Sequence, residues 1–85
     1  MEVYRTKSFE RDFVQLPSSI QKRFEKQLAF FIVNPFHPSL HTKKMKGTNA
    51  IWEIRVTKNY RFTFCIEGGK CILRRIGIHD ILRSP

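Results

Sequence analysis

From Ala50 to Ile78 the side chains alternate apolar and polar through two turns, and few folds can accommodate that pattern. Counted by twos, Trp52, Ile54, Val56, Tyr60, Phe62, Phe64 and Ile66 fall on one face. Glu53, Arg55, Thr57, Arg61, Thr63 and Cys65 fall on the other. Successive strand side chains point to opposite faces, so the block predicts an antiparallel sheet with an apolar back and a cationic front. Strands are expected over Ala50–Thr57, Tyr60–Glu67 and Lys70–Ile78. Paired glycines in Glu67-Gly68-Gly69-Lys70 supply the positive φ of a tight primed turn, and Lys58-Asn59 makes the other turn. On the last strand Arg75, Gly77 and His79 share a direction, while Ile72, Ile76 and Ile78 take the opposite parity and read as core. Arg74 falls with the isoleucines, which marks an edge position or a bulge.

The segment before this block reads as helical. Val3-Tyr4-Arg5 is a short first strand. Ser8 reads as an N-cap, with Phe9, Phe13 and Leu16 at helical spacing until Pro17 stops the run. Ser18 or Ser19 restarts a second helix, whose stripe is Ile20, Phe24, Leu28 and Phe31. Asn34-Pro35 ends it, and Phe36 to Gly47 reads as a loop that turns basic at Lys43, Lys44 and Lys46. The expected architecture is α+β, one small domain over residues 1–85 in the order β-α-α-β-β-β. Two N-terminal helices cover one face of an antiparallel sheet and leave the other open.

Charge narrows the function. Sixteen Lys and Arg against seven Asp and Glu give a formal charge of +9 and a pI near 10.2 in 85 residues. That excess implies a polyanionic partner such as nucleic acid or an acidic protein. A membrane is the weakest choice, since no stretch approaches the ~18 uninterrupted apolar residues of a spanning helix. MEVYRTKSF has no signal-peptide core, so a cytoplasmic protein is expected. Cys65 and Cys71 fit no metal motif and read as buried thiols on neighbouring strands. On the cationic front, guanidinium groups bind phosphate bidentately and stay charged, and an imidazole such as His79 can move a proton near neutral pH.

The order basic loop, Lys-Met-Lys-Gly, Trp-Glu-Ile-Arg-Val, turn, Tyr-Arg-Phe, hairpin, Ile-Gly-Ile-His-Asp resembles the RelE/ParE superfamily of toxin–antitoxin toxins over essentially the whole chain. Lys-Met-Lys-Gly stands where a Leu-x-Gly segment usually precedes the second strand, and the Gly-x-His tail is similar to that of YafQ-like members. The resemblance implies a metal-independent, cofactor-free endoribonuclease that cleaves mRNA on the ribosome. The ribose 2′-OH would attack the adjacent phosphate, leaving a 2′,3′-cyclic phosphate and a 5′-OH. Arg61 matches the family arginine that stabilises the transition state, Arg55 a basic position that holds phosphate, and His79 the proton donor to the leaving oxygen. The base would be His41 or Glu53. His41 is favoured, because a carboxylate beside two arginines is often only their ion-pair partner.

Lys43, Lys44, Lys46, Arg75 and Tyr60 are the expected substrate contacts, although the alternation of Tyr60 with Phe62 and Phe64 favours core packing for it. Expected partners are a cognate acidic antitoxin, the ribosome and mRNA. The sequence departs from RelE itself, which carries two lysines on the second strand where this chain has Glu53 and Arg55. Two other readings share the fold: a ParE-like toxin acting on gyrase, and a catalytically silent module that binds nucleic acid or antitoxin.

Overall fold

The computed structural model describes residues 2–47 and 50–85. Its elements are β1 (Glu2–Arg5), α1 (Lys7–Val14), α2 (Ser18–Val33), β2 (Lys43–Lys44), β3 (Trp52–Arg55), β4 (Arg61–Glu67) and β5 (Lys70–Gly77). Short 3₁₀ turns follow α2 at Pro38–Leu40 and β5 at His79–Arg83. The expected β-α-α-β-β-β order holds, and the α+β class with it. None of the helices among the described residues is long and apolar enough to cross a membrane.

The sheet runs β1-β5-β4-β3-β2. It is mixed rather than purely antiparallel, because β1 pairs with β5 in parallel, Tyr4 opposite Ile72. Two helices and three strands separate those partners in the chain, which is connection enough for a parallel neighbour. The basic stretch expected as loop contributes an edge strand, with Lys43 opposite Glu53 and Lys44 opposite Trp52. Two lysines carry no apolar alternation, so a strand there leaves no signal in the pattern. The Gly68-Gly69 turn is as expected, with φ of +56° and +77°.

The back of the sheet holds the core. Ile54, Phe62, Phe64, Leu73 and Ile76 are buried against Phe24 and Phe31 of α2 and Phe9 of α1. Phe62 meets Phe24 and Phe31 edge-on at ring-centroid distances of 5.3 and 5.9 Å. Thr6, rather than Ser8, caps α1: its Oγ1 accepts from the Phe9 amide at 3.0 Å and donates to the Arg74 carbonyl at 3.0 Å. The cap is therefore also a bond to the sheet.

Arg74 is the bulge. Thr63 pairs with Arg75 and Phe64 with Leu73, so two residues of β5 oppose one step of β4. The inserted residue reverses parity along β5. Cys71 and Leu73 face the core on one side of the bulge and Ile76 on the other, with all three buried. Ile72, expected in the core, instead faces forward opposite Cys65 and is half-buried. Ile78, also expected in the core, is 48% exposed, because β5 has ended and the backbone is entering the final turn. Both cysteines are free and buried, and burial pushes the Cys71 thiol up to about 12.

Candidate functional site

The β3–β4 ladder sets Arg55 directly opposite Arg61, and the β4–β5 ladder sets Arg61 opposite Gly77. Directly opposed residues have Cβ atoms about 5 Å apart, and like charges there destabilise a strand pair. The fold accepts that cost at one end of the front face. A residue row further along reads Lys43, Glu53, Thr63, Arg75. His41 lies two residues before Lys43, in the direction in which β3 runs on to Arg55, and His79 lies two residues beyond Gly77.

The arginines differ in what holds them. Arg61 Nη1 donates to three carbonyls of the β3–β4 turn: Thr57 at 2.6 Å, Lys58 at 2.9 Å and Tyr60 at 3.1 Å. No described residue takes a hydrogen bond from its Nε or Nη2, so one edge of the guanidinium stays available. Arg55 Nε is buried and finds no hydrogen-bond partner among the described residues. A buried donor left unpaired carries a desolvation cost. Arg75 is committed: its Nε and Nη2 grip the Asp12 carboxylate at 2.6 and 3.2 Å, and Nη1 donates to the Ser84 carbonyl at 3.3 Å. The Asp12 carboxylate raises the Arg75 guanidinium above its already high range.

Glu53 is paired too. It is 8% exposed and lies 3.4 Å from Lys43 Nζ. The basic loop itself stands in the open, Lys43 included. Lys43, Lys44 and Lys46 are exposed and, with Met45 and Glu53, line a cleft of about 360 Å³. Tyr60 is half-buried, packed on the core at one side and lining a 340 Å³ depression with Leu16, Pro17 and Ile78 on the other.

The two histidines are presented differently. His41 is exposed and is the one described non-glycine residue in the left-handed region, with φ +49° and ψ +45°. It follows a 3₁₀ turn whose Leu40 is fully buried, so the core fixes the turn and the turn fixes His41. Holding a residue with a Cβ in this conformation costs about 1 kcal/mol, which glycine would not incur. Accordingly His41→Gly should unfold in urea with a stability about 1 kcal/mol above that of His41→Ala. Equal midpoints for the two variants would mean that the backbone there is unstrained. His79 is exposed at the start of the final turn, whose Ile81 folds back over Gly77. A Cβ at Gly77 would lie 2.9 Å from Ile81 Cγ2, so only glycine lets that turn close down beside Arg61.

The structure thus gathers Arg55, Arg61, Gly77 and the two histidine-bearing turns at one end of the sheet. It places Glu53 and Arg75 one row away, each neutralised by a partner. Sequence reasoning missed Asp12 and Gln27. Asp12 sits next to Phe13 on α1 and also accepts from the Ile76 amide at 3.2 Å. Gln27 lies in the α2 stripe between Phe24 and Phe31 and is 4% exposed. A polar residue at an apolar position of the helical period is the signal that marks it.

No protein-family model matches the chain, and neither does any curated protein. Solved structures do. The RelB–RelE antitoxin–toxin complex from Methanococcus jannaschii is similar at 26% identity and a TM-score of 0.78, covering 95% of each chain. The YoeB/ParE toxin from Agrobacterium tumefaciens superposes with a TM-score of 0.79 at 18% identity, covering 93% of this chain and 99% of that one. YafQ from E. coli strain BL21(DE3) does so at 0.77 and 13% identity, covering 95% and 96%. The fold is the one these toxins share over nearly their full length.

Proposed function

We propose, for a chain whose fold is that of the RelE/ParE toxins, that it is the toxin of a type II toxin–antitoxin pair and cleaves mRNA on the ribosome. The observation that carries this reading is the Arg55–Arg61 pair, two arginines directly opposed across the ladder, neither ion-paired to a carboxylate among the described residues. In a folded domain that arrangement is unfavourable without an anion, and a phosphodiester supplies one.

The chemistry would run as follows. His41 removes the proton of the ribose 2′-OH, and the oxygen attacks the adjacent phosphorus. Arg55 and the free edge of Arg61 take the two non-bridging oxygens, whose charge grows in the transition state. The bond to the 5′-oxygen breaks as His79 returns a proton to it, leaving a 2′,3′-cyclic phosphate and a 5′-OH. Glu53, paired with Lys43, is the less suitable base. The exposed Lys43, Lys44 and Lys46 attract the RNA backbone in a salt-dependent way, and Tyr60 offers a ring for a base. Arg75, neutralised by Asp12, adds less to phosphate binding than Arg55 does.

The partner proposed is an acidic antitoxin. The net charge of +9 favours it, and the M. jannaschii structure is of an antitoxin–toxin complex. The test is induced expression in a bacterial host, wild type beside Arg61→Ala and His79→Ala, with new 5′ ends mapped on translating mRNA. Growth arrest with cuts phased to the ribosomal A site, relieved by both substitutions, is the expected result. Arrest without cuts would redirect the reading to gyrase, and no arrest to a silent binding module.

A further inference from the structure

We infer that Gln27 is a positioning residue whose buried amide sets the spacing between the turn that presents His41 and the strand that presents Arg55. The inference rests on the roles proposed above for those two residues. Gln27 Nε2 donates to the Ser39 carbonyl at 3.2 Å and to the Arg55 carbonyl at 2.8 Å. Both hydrogens of one amide are thereby used, and both on segments outside α2. Ser39 lies two residues before His41, and the second acceptor belongs to Arg55 itself. A residue that only filled this part of the core would need neither donor. Leucine or methionine would occupy a similar volume but leave both carbonyls without this donor.

The His41 turn has internal ties of its own. The Ser39 amide donates to His37 Nδ1 at 3.2 Å, the Leu40 amide to the His37 carbonyl at 2.9 Å, and the His41 amide to the Pro38 carbonyl at 3.3 Å. These shape the turn without joining it to β3. Gln27 joins the two, and it does so from a helix locked into the core by Phe24 and Phe31 on either side. A small change in this distance moves the imidazole relative to the guanidinium, and misplacement of about 1 Å can cost about 100-fold in rate.

The test compares the full chain with Gln27→Met and Gln27→Glu. Gln27→Met should keep the wild-type circular dichroism spectrum. Its Leu40 and His41 amides should exchange about tenfold faster, with the change confined to the turn and the start of β3. On programmed ribosomes its kcat should fall about tenfold with KM within about twofold, a split that general loss of fold does not produce. Gln27→Glu places a carboxylate against two carbonyl oxygens. Burial and those acceptors raise its folded-state pKa, so the stability that depends on the protonated form is present at low pH and lost as pH rises. Its melting temperature should therefore fall further below wild type at pH 8 than at pH 5. Wild-type amide exchange in Gln27→Met would overturn the inference whatever the activity. Faster exchange with an unchanged kcat would overturn it as well. If the wild type cleaves no mRNA yet Gln27→Met still loosens the His41 turn alone, the tie stands and the reaction proposed above fails.

Discussion

Arg61→Ala should lower the rate of mRNA cleavage by about 100- to 1,000-fold, the usual loss when one preorganised charge facing the transition state is removed. The same substitution should cost about 1–2 kcal/mol of stability, because Nη1 also caps three turn carbonyls that water must then satisfy. The two effects are separable. Urea unfolding should show a cooperative transition at a lower midpoint with an unchanged slope, while single-turnover cleavage on ribosomes shows the larger loss. Arg61→Lys should not restore the rate, since one ammonium cannot hold the turn and reach a phosphate oxygen as a planar fork does. Arg55→Ala should also weaken cleavage but leave stability unchanged or raised, because it removes a buried unpaired donor and a like charge opposite Arg61. If Arg61→Ala cleaved as the wild type does, the opposed arginines would be a structural feature of the turn and nothing more.

The largest effect on stability is expected at Phe62. Phe62→Ala should destabilise the domain by about 3–5 kcal/mol, from lost transfer energy and from the cavity left between Phe24 and Phe31. A small domain has about 5–15 kcal/mol in total, so the variant should be partly unfolded at 37 °C. Ile66 provides the control. It lies on the same strand and the same face by parity, yet it is 46% exposed, so Ile66→Ala should cost under about 1 kcal/mol. Both midpoints come from one urea titration series followed by circular dichroism. A similar loss at the two positions would mean that the helix layer extends further along β4 than the contacts of Phe24 and Phe31 indicate.

These two residues also show what alternation can and cannot convey. Period two assigns Phe62 and Ile66 to one face, and both are on it. It carries no information on where the covering helix stops, and α2 reaches Phe62 and Phe64 but not Ile66. The same limit explains β5. A single inserted residue at Arg74 reversed parity, which moved Ile72 to the front and brought Cys71 and Leu73 into the core. The sequence marked Arg74 as anomalous, because a charge fell in an apolar register, but the direction of the repair depends on Thr6 and Thr63. The Thr6 amide donates to the Leu73 carbonyl at 3.1 Å and its hydroxyl to the Arg74 carbonyl at 3.0 Å, while Thr63 Oγ1 accepts from the Arg75 amide at 3.1 Å.

The candidate site divides along the same line. The sequence put Arg55 and Arg61 at the same hairpin end, but a two-residue Lys58-Asn59 turn would set Val56 opposite Arg61. The observed turn is one residue longer, with Val56 bonded to Tyr60, and that shift brings Arg55 opposite Arg61. That Arg75 belongs to Asp12, and Glu53 to Lys43, could not be read, because the partners come from α1 and from an edge strand two residues long.

By itself, then, the sequence determined the element order, the apolar back, the glycine turn and the gathering of Arg55 and Arg61 at one hairpin end, all of which follow from local periodicity and the position of short turns. The tertiary structure alone decided that β1 runs parallel beside β5, that a bulge reverses the last strand, which charges are already neutralised, and that Gln27 reaches both sides of the site. Those features depend on contacts between segments far apart in the chain, where side chains compete for the same hydrogen-bond partners and packing settles which of them meet.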